Sequence, residues 1–206
     1  MGVARHLDGL SEHYLLWDSD MVPLKPMDWF RHNRTQVLFN TGGYLTPTYD
    51  QVYERLMGTK MSYAADGTSF VTHSMMIYRP YMEALMLRFN MGKGGNGWIY
   101  RILDQLDTRD VQRGFSEYGS YASWMIENHS EKMAIVPYRT WSRHPIGGVL
   151  GMQALRLNNE YGLCCPNKSI LQIMRLLDNA FVGFEIGHHF CHATDSKYED
   201  AYGISE

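Results

Sequence analysis

Apolar residues in this chain come in runs of three or four, as in Tyr14-Leu15-Leu16-Trp17, Val37-Leu38-Phe39 and Ala134-Ile135-Val136, each closed by a polar residue or proline. Runs this short suit buried strands and fall far below the ~20 apolar residues of a membrane helix. Between them lie segments with helical spacing. Val52, Tyr53 and Leu56 share a face in Thr48 to Met57, where Thr48 can cap. Ile99, Ile102, Leu103 and Leu106 share one in Trp98 to Leu106, and Ile170, Ile173, Met174 and Leu177 in Ser169 to Phe181. Strands alternating with helices predict an α/β layer fold.

Ser69 to Tyr78 reads as a central strand, with Val71, His73, Met75 and Ile77 on one face. Pro80 suits the first turn of a helix running from Tyr81 to Asn90. Gly92 to Gly97 must be a loop, Phe115 to Glu127 passes from loop to aromatic-rich helix, and Gly147-Gly148 is a flexible joint. The expected organisation is a main domain over residues 1–150 and a helical extension over 151–206 packed on it.

With 206 residues, 45% hydrophobic and 20% charged, the chain can bury a sizeable core and is not a disordered or fibrous sequence. A net charge of -3 gives no electrostatic case for nucleic acid or an anionic membrane. Met1 to Asp8 has no signal-peptide core, and Cys164, Cys165 and Cys191 form no disulfide framework, so a reducing, cytoplasmic setting is expected.

Asp18-Ser19-Asp20 is the sharpest chemical signal. Two carboxylates one residue apart past a strand end need a cation, and a hard divalent ion takes such oxygen ligands together with substrate phosphates. Mn²⁺ or Mg²⁺ on Asp18 and Asp20 is therefore expected, with His144, His188, His189 or His192 available as a further ligand. Glu117 lies where a loop becomes a helix and suits a general base. Tyr118, Tyr121 and Trp124 are either a ring platform for a sugar or one apolar helix face. His73 and Trp141 are candidate substrate contacts, and Arg143 or Arg139 candidate phosphate ligands.

Tyr14-Leu-Leu-Trp-Asp-Ser-Asp-Met-Val-Pro-Leu-Lys-Pro26 resembles the strand and Asp-x-Asp motif of GT-A-type glycosyltransferases. One glycosyltransferase-like branch is similar further on, through Ser69-Phe-Val-Thr-His-Ser-Met-Met-Ile77, Trp98, Gly114-Phe-Ser-Glu-Tyr118 with Tyr121, and Trp141-Ser-Arg143. The resemblance covers about residues 10 to 145. It implies a Rossmann-like mixed sheet flanked by helices, a nucleotide-sugar donor, and a glycan or other hydroxyl acceptor. Asp18 and Asp20 would carry the metal, Glu117 would be the base, and His73 would line the donor or acceptor side. Such domains begin with strands that hold the nucleoside base, so this chain reads as truncated at its N-terminus and able to self-associate through the apolar surface left open. Gly119 stands where the branch has an acidic residue. The alternatives are a haloacid-dehalogenase-type phosphatase, whose first motif Asp18-Ser-Asp-Met-Val22 fits, and a non-catalytic carbohydrate-binding fragment.

Overall fold

The computed structural model describes residues 1–32, 35–40, 46–107, 114–136, 141–154, 166 and 168–185. The chain is mixed α/β, as expected, but among the described residues the strands form three small sheets instead of one central sheet. It divides into two compact units: Met1–Trp17 with Asp28–Pro137, and Asp18–Met27 with the chain from Tyr138 onward. The expected boundary at 150 falls inside the second of these.

In the first unit, β1 (His13–Trp17) pairs antiparallel with β5 (Ser74–Tyr78), from His13 opposite Tyr78 to Trp17 opposite Ser74. A second sheet sets β4 (Thr35–Phe39) between β3 (Phe30–Arg31), antiparallel, and β6 (Met133–Val136), parallel. Five helices accompany the strands among the described residues: α1 (Val3–His6), α2 (Pro47–Met57), α3 (Arg79–Phe89), α4 (Gly97–Leu103) and α5 (Glu117–His129).

Local chemistry explains these bounds. Pro47 enters α2 at its first position, where a missing N–H costs nothing, so the helix begins one residue before Thr48. It ends at Gly58, whose left-handed backbone (φ 80) lets its N–H reach the Glu54 carbonyl. Pro80 likewise starts α3. In α4 the buried residues are Trp98 and Ile102, with Leu106 packed against the core beyond it, while Ile99 and Leu103 face outward, so half of the predicted apolar face turns to the core. The core of this unit includes Leu38, Tyr53, Phe70, Ile77, Met82, Phe89 and Tyr121.

The expected strand from Ser69 begins only at Ser74. His73 takes a left-handed backbone (φ 59), and the buried Thr72 hydroxyl donates to the Ser74 carbonyl at 2.9 Å, closing a kink instead of a ladder. The strand expected from Tyr14 is also only half right. One face of β1 packs on the core and the other is open, so Tyr14 is buried while Leu15 is 39% exposed.

Polar side chains close the other edge of β5. Gln36 of β4 donates from Nε2 to the Met76 carbonyl. The Tyr121 hydroxyl accepts from the Tyr78 N–H at 3.0 Å and donates to Gln36 Oε1 at 3.1 Å. Tyr121 is fully buried and Gln36 is 3% exposed.

In the second unit, β8 (Phe181–Gly183) lies between β2 (Met21–Pro23), antiparallel, and β7 (Trp141–Ser142), parallel. Helices α6 (Gly148–Ala154) and α7 (Lys168–Leu176) belong to it. The helix expected to run to Phe181 stops at Leu176, and Phe181 opens β8. Leu24, Ile170, Met174, Val182 and Phe184 form its core, and Lys25 pairs with Asp178. Gly183 is the close-approach point: a Cβ there would stand 2.5 Å from the Arg143 carbonyl oxygen and 2.8 Å from Met21 Sδ.

Two tyrosines make opposite predictions. Tyr121→Phe strands the Tyr78 N–H and Gln36 Oε1 and is expected to cost about 1–3 kcal/mol. Tyr14 carries a buried hydroxyl with no hydrogen-bond partner among the described residues, its ionisation pushed up to about 12 by burial and by nearby Glu83. Tyr14→Phe is expected to be neutral or stabilising, since no bond is lost. Urea unfolding of both variants against the parent checks the contrast.

Candidate functional site

The sequence-predicted residues fall in both units. Asp18, Ser19 and Asp20 make the turn that follows β1 and leads into β2. The Asp18 carbonyl accepts from the Met21 N–H at 3.1 Å, and the Asp20 carbonyl from the Phe184 N–H at 2.9 Å. Both aspartates are half-buried and Ser19 is exposed. Their backbones are thus fixed by turn and sheet. Among the described residues no group of three or more His, Cys, Asp or Glu gathers as a metal centre. Two carboxylates nonetheless match the donor set of a hard cation that completes its shell with phosphate oxygens and water.

Glu117 opens α5 and is half-buried. Its position is fixed by Ser116, whose hydroxyl accepts from the Gly119 N–H at 3.1 Å and whose carbonyl accepts from the Ser120 N–H and hydroxyl at 3.0 and 2.7 Å. A carboxylate in this first turn sits where the helix end favours negative charge. The helix presents small buried residues, Gly119, Ser120, Ala122 and Ser123, to the interior. They admit the passing chain: Ser62 N–H donates to Ser123 Oγ at 2.9 Å, and a Cβ on Gly119 would lie 2.9 Å from Met61 Sδ. An acidic side chain at this position would have to push the end of the Met61 side chain aside.

His73 packs in the same unit. Its ring lies 6.4 Å from that of Tyr118, the residue after Glu117, at 49°. It is half-buried, and its left-handed backbone is a conformation that costs a non-glycine residue about 1–2 kcal/mol. Non-glycine residues held this way cluster at functional sites.

Four expected contact residues turn out to be engaged in the fold. Tyr118 is 6% exposed and Tyr121 fully buried, so the ring platform is a helix face in the core. Trp141 is 4% exposed and stacks on Phe181 at 5.2 Å and 11°. Arg143 places both Nε and Nη2 at 2.7 Å from Glu185 Oε2, so an anion would have to displace that carboxylate. His144 is half-buried. Arg139, Cys164, Cys165, His188, His189, Cys191 and His192 lie outside the described residues.

One polar cluster had no place in the sequence reading. Asn40 follows β4, and its N–H bonds the Val136 carbonyl of parallel β6 at 3.3 Å. Its Nδ2 reaches Thr68 Oγ1 at 2.5 Å and both Asp66 carboxylate oxygens at 3.4 Å, while the Thr68 amide donates to Asp66 Oδ1 at 3.1 Å. The only sequence signal was the turn dipeptide Asp66-Gly67. No family model, curated protein or solved structure matches the chain.

Two measurements test these placements. Gly119→Asp forces a carboxylate into the packed face against Met61 and is expected to destabilise by several kcal/mol, read by thermal unfolding. Hydrogen bonds from the Thr68 hydroxyl and amide hold the Asp66 carboxyl below its ordinary value of 3.8. A depressed folded-state value means that Asp66 stabilises the fold above about pH 4 and that this contribution is lost as pH falls through the folded value. Asp66→Asn is expected to flatten that acid limb in a pH series of urea midpoints; an unchanged limb would show that the bonds do not discriminate charge.

Proposed function

We propose that this chain belongs to a metal-dependent glycosyltransferase that moves a sugar from a nucleotide-sugar donor to a hydroxyl of a glycan or similar acceptor. The observation that carries the reading is His73: a half-buried histidine in a costly left-handed conformation, packed on the residue that follows Glu117. An imidazole and a carboxylate held by rigid elements suit proton transfer and hydroxyl binding. The Asp-x-Asp resemblance and the fixed turn around Asp18 and Asp20 support it from the second unit.

In this reading Asp18 and Asp20 would hold Mn²⁺ or Mg²⁺, which would supply positive charge to a departing diphosphate. Glu117 accepts the acceptor hydroxyl proton as that oxygen bonds the anomeric carbon and the bond from this carbon to the diphosphate breaks. His73 hydrogen-bonds a sugar or acceptor hydroxyl. A Rossmann-like, GT-A arrangement is part of the same proposal.

The test is release of nucleoside diphosphate from a panel of nucleotide sugars with Mn²⁺ and mixed glycan acceptors. Glu117→Gln is expected to lower kcat about 10²–10⁴-fold with the donor KM little changed. Asp18→Asn is expected to raise the Mn²⁺ concentration needed for half-maximal rate. Transfer indifferent to both changes would overturn the assignment. Phosphate release from an aryl phosphate without any transfer would replace it with the phosphatase.

A further inference from the structure

Thr72 is fully buried, and its hydroxyl donates to the carbonyl of Ser74, two residues on. The residue enclosed by that bond is His73, at φ 59. A side-chain bond of this kind offers the backbone an alternative to ladder pairing. Here it fixes the two peptides that flank the histidine, and the regular ladder starts directly after it, at Ser74 opposite Trp17. An imidazole on a backbone of this sort is aimed by the kink and not by the alternation of a strand. Without the bond, the chain from Ser69 would be free to extend, and a residue's side chain changes face when its strand register or pleat changes.

We infer that Thr72 is a positioning residue: its hydroxyl clamps the left-handed turn that presents the His73 imidazole. The catalytic purpose of the clamp rests on the transferase reading above; the clamp itself does not. Thr72 touches no substrate and acts only through His73. A hydroxyl is what the role requires, so serine suffices and the isosteric valine does not.

Two mutant cycles test this on the full chain. For stability, Thr72→Val is expected to lower the thermal midpoint by about 2–4 °C, and by clearly less in a His73→Gly background, because glycine takes a positive φ without a clamp. Thr72→Ser is expected to keep the parental midpoint. Equal losses in both backgrounds would overturn the clamp, whatever the protein catalyses. For activity, Thr72→Val is expected to lower kcat on the order of 10–100-fold with donor KM unchanged, with Thr72→Ser near the parent. In a His73→Ala background Thr72→Val should cost nothing further, since the group it aims is gone. Multiplying effects would overturn the positioning role. A parent chain that transfers no sugar sinks the transferase reading, while the stability cycle still decides the clamp.

Discussion

The edge of β5 turned away from β1 carries the groups on which the first unit closes. A two-stranded ladder leaves one edge of each strand without a backbone partner, and a buried N–H or C=O left unpaired costs about 1–3 kcal/mol. β4 runs nearby without pairing its backbone to β5. Gln36 and Tyr121 take over: one amide and one phenol satisfy the Met76 carbonyl and the Tyr78 N–H and bind each other. Thr72 does the same for the Ser74 carbonyl. Two separate sheets and helix α5 are thereby joined through side chains, and burial holds the Tyr121 hydroxyl well above the ordinary tyrosine range, so the link stays neutral.

Close approach at small residues is the complementary constraint. Gly119 lets Met61 lie against α5, and Gly183 lets β8 fit between β2 and β7. In both places the backbone is set by what a Cβ would strike. A Cβ at Gly119 would lie 2.9 Å from Met61 Sδ, so an acid there would be buried beside sulfur. The turn at Asp18 and Asp20 shows a third kind of constraint, in which the backbone carbonyl of each aspartate is committed, to Met21 and Phe184 respectively.

The aromatic residues illustrate why motifs mislead. Tyr118, Tyr121 and Trp141 have the composition of a sugar platform, yet burial of large rings is the dominant stabilising term available to a unit of this size. They are spent on the core. Arg143 is similarly turned to Glu185, where the guanidinium compensates the charge of a largely buried carboxylate.

The sequence by itself determined the mixed α/β class, the location of most helices and the acidic turn. Proline at helix starts, serine at a cap, short apolar runs and Asp-Ser-Asp are local signals whose physics is complete within a few residues. Thr48 as a cap and half of the α4 face, Ile99 and Leu103, were misread because a neighbouring Pro47 and the burial of Trp98 outweigh periodicity. Only the tertiary structure decided that Ser69 to Thr72 is not strand, that the Trp141 ring and the Arg143 guanidinium are occupied, and that Asn40, Asp66 and Thr68 meet. Each of those outcomes depends on groups far apart in the chain, or on a hydroxyl choosing between solvent and a particular carbonyl, and neither is written in local residue spacing.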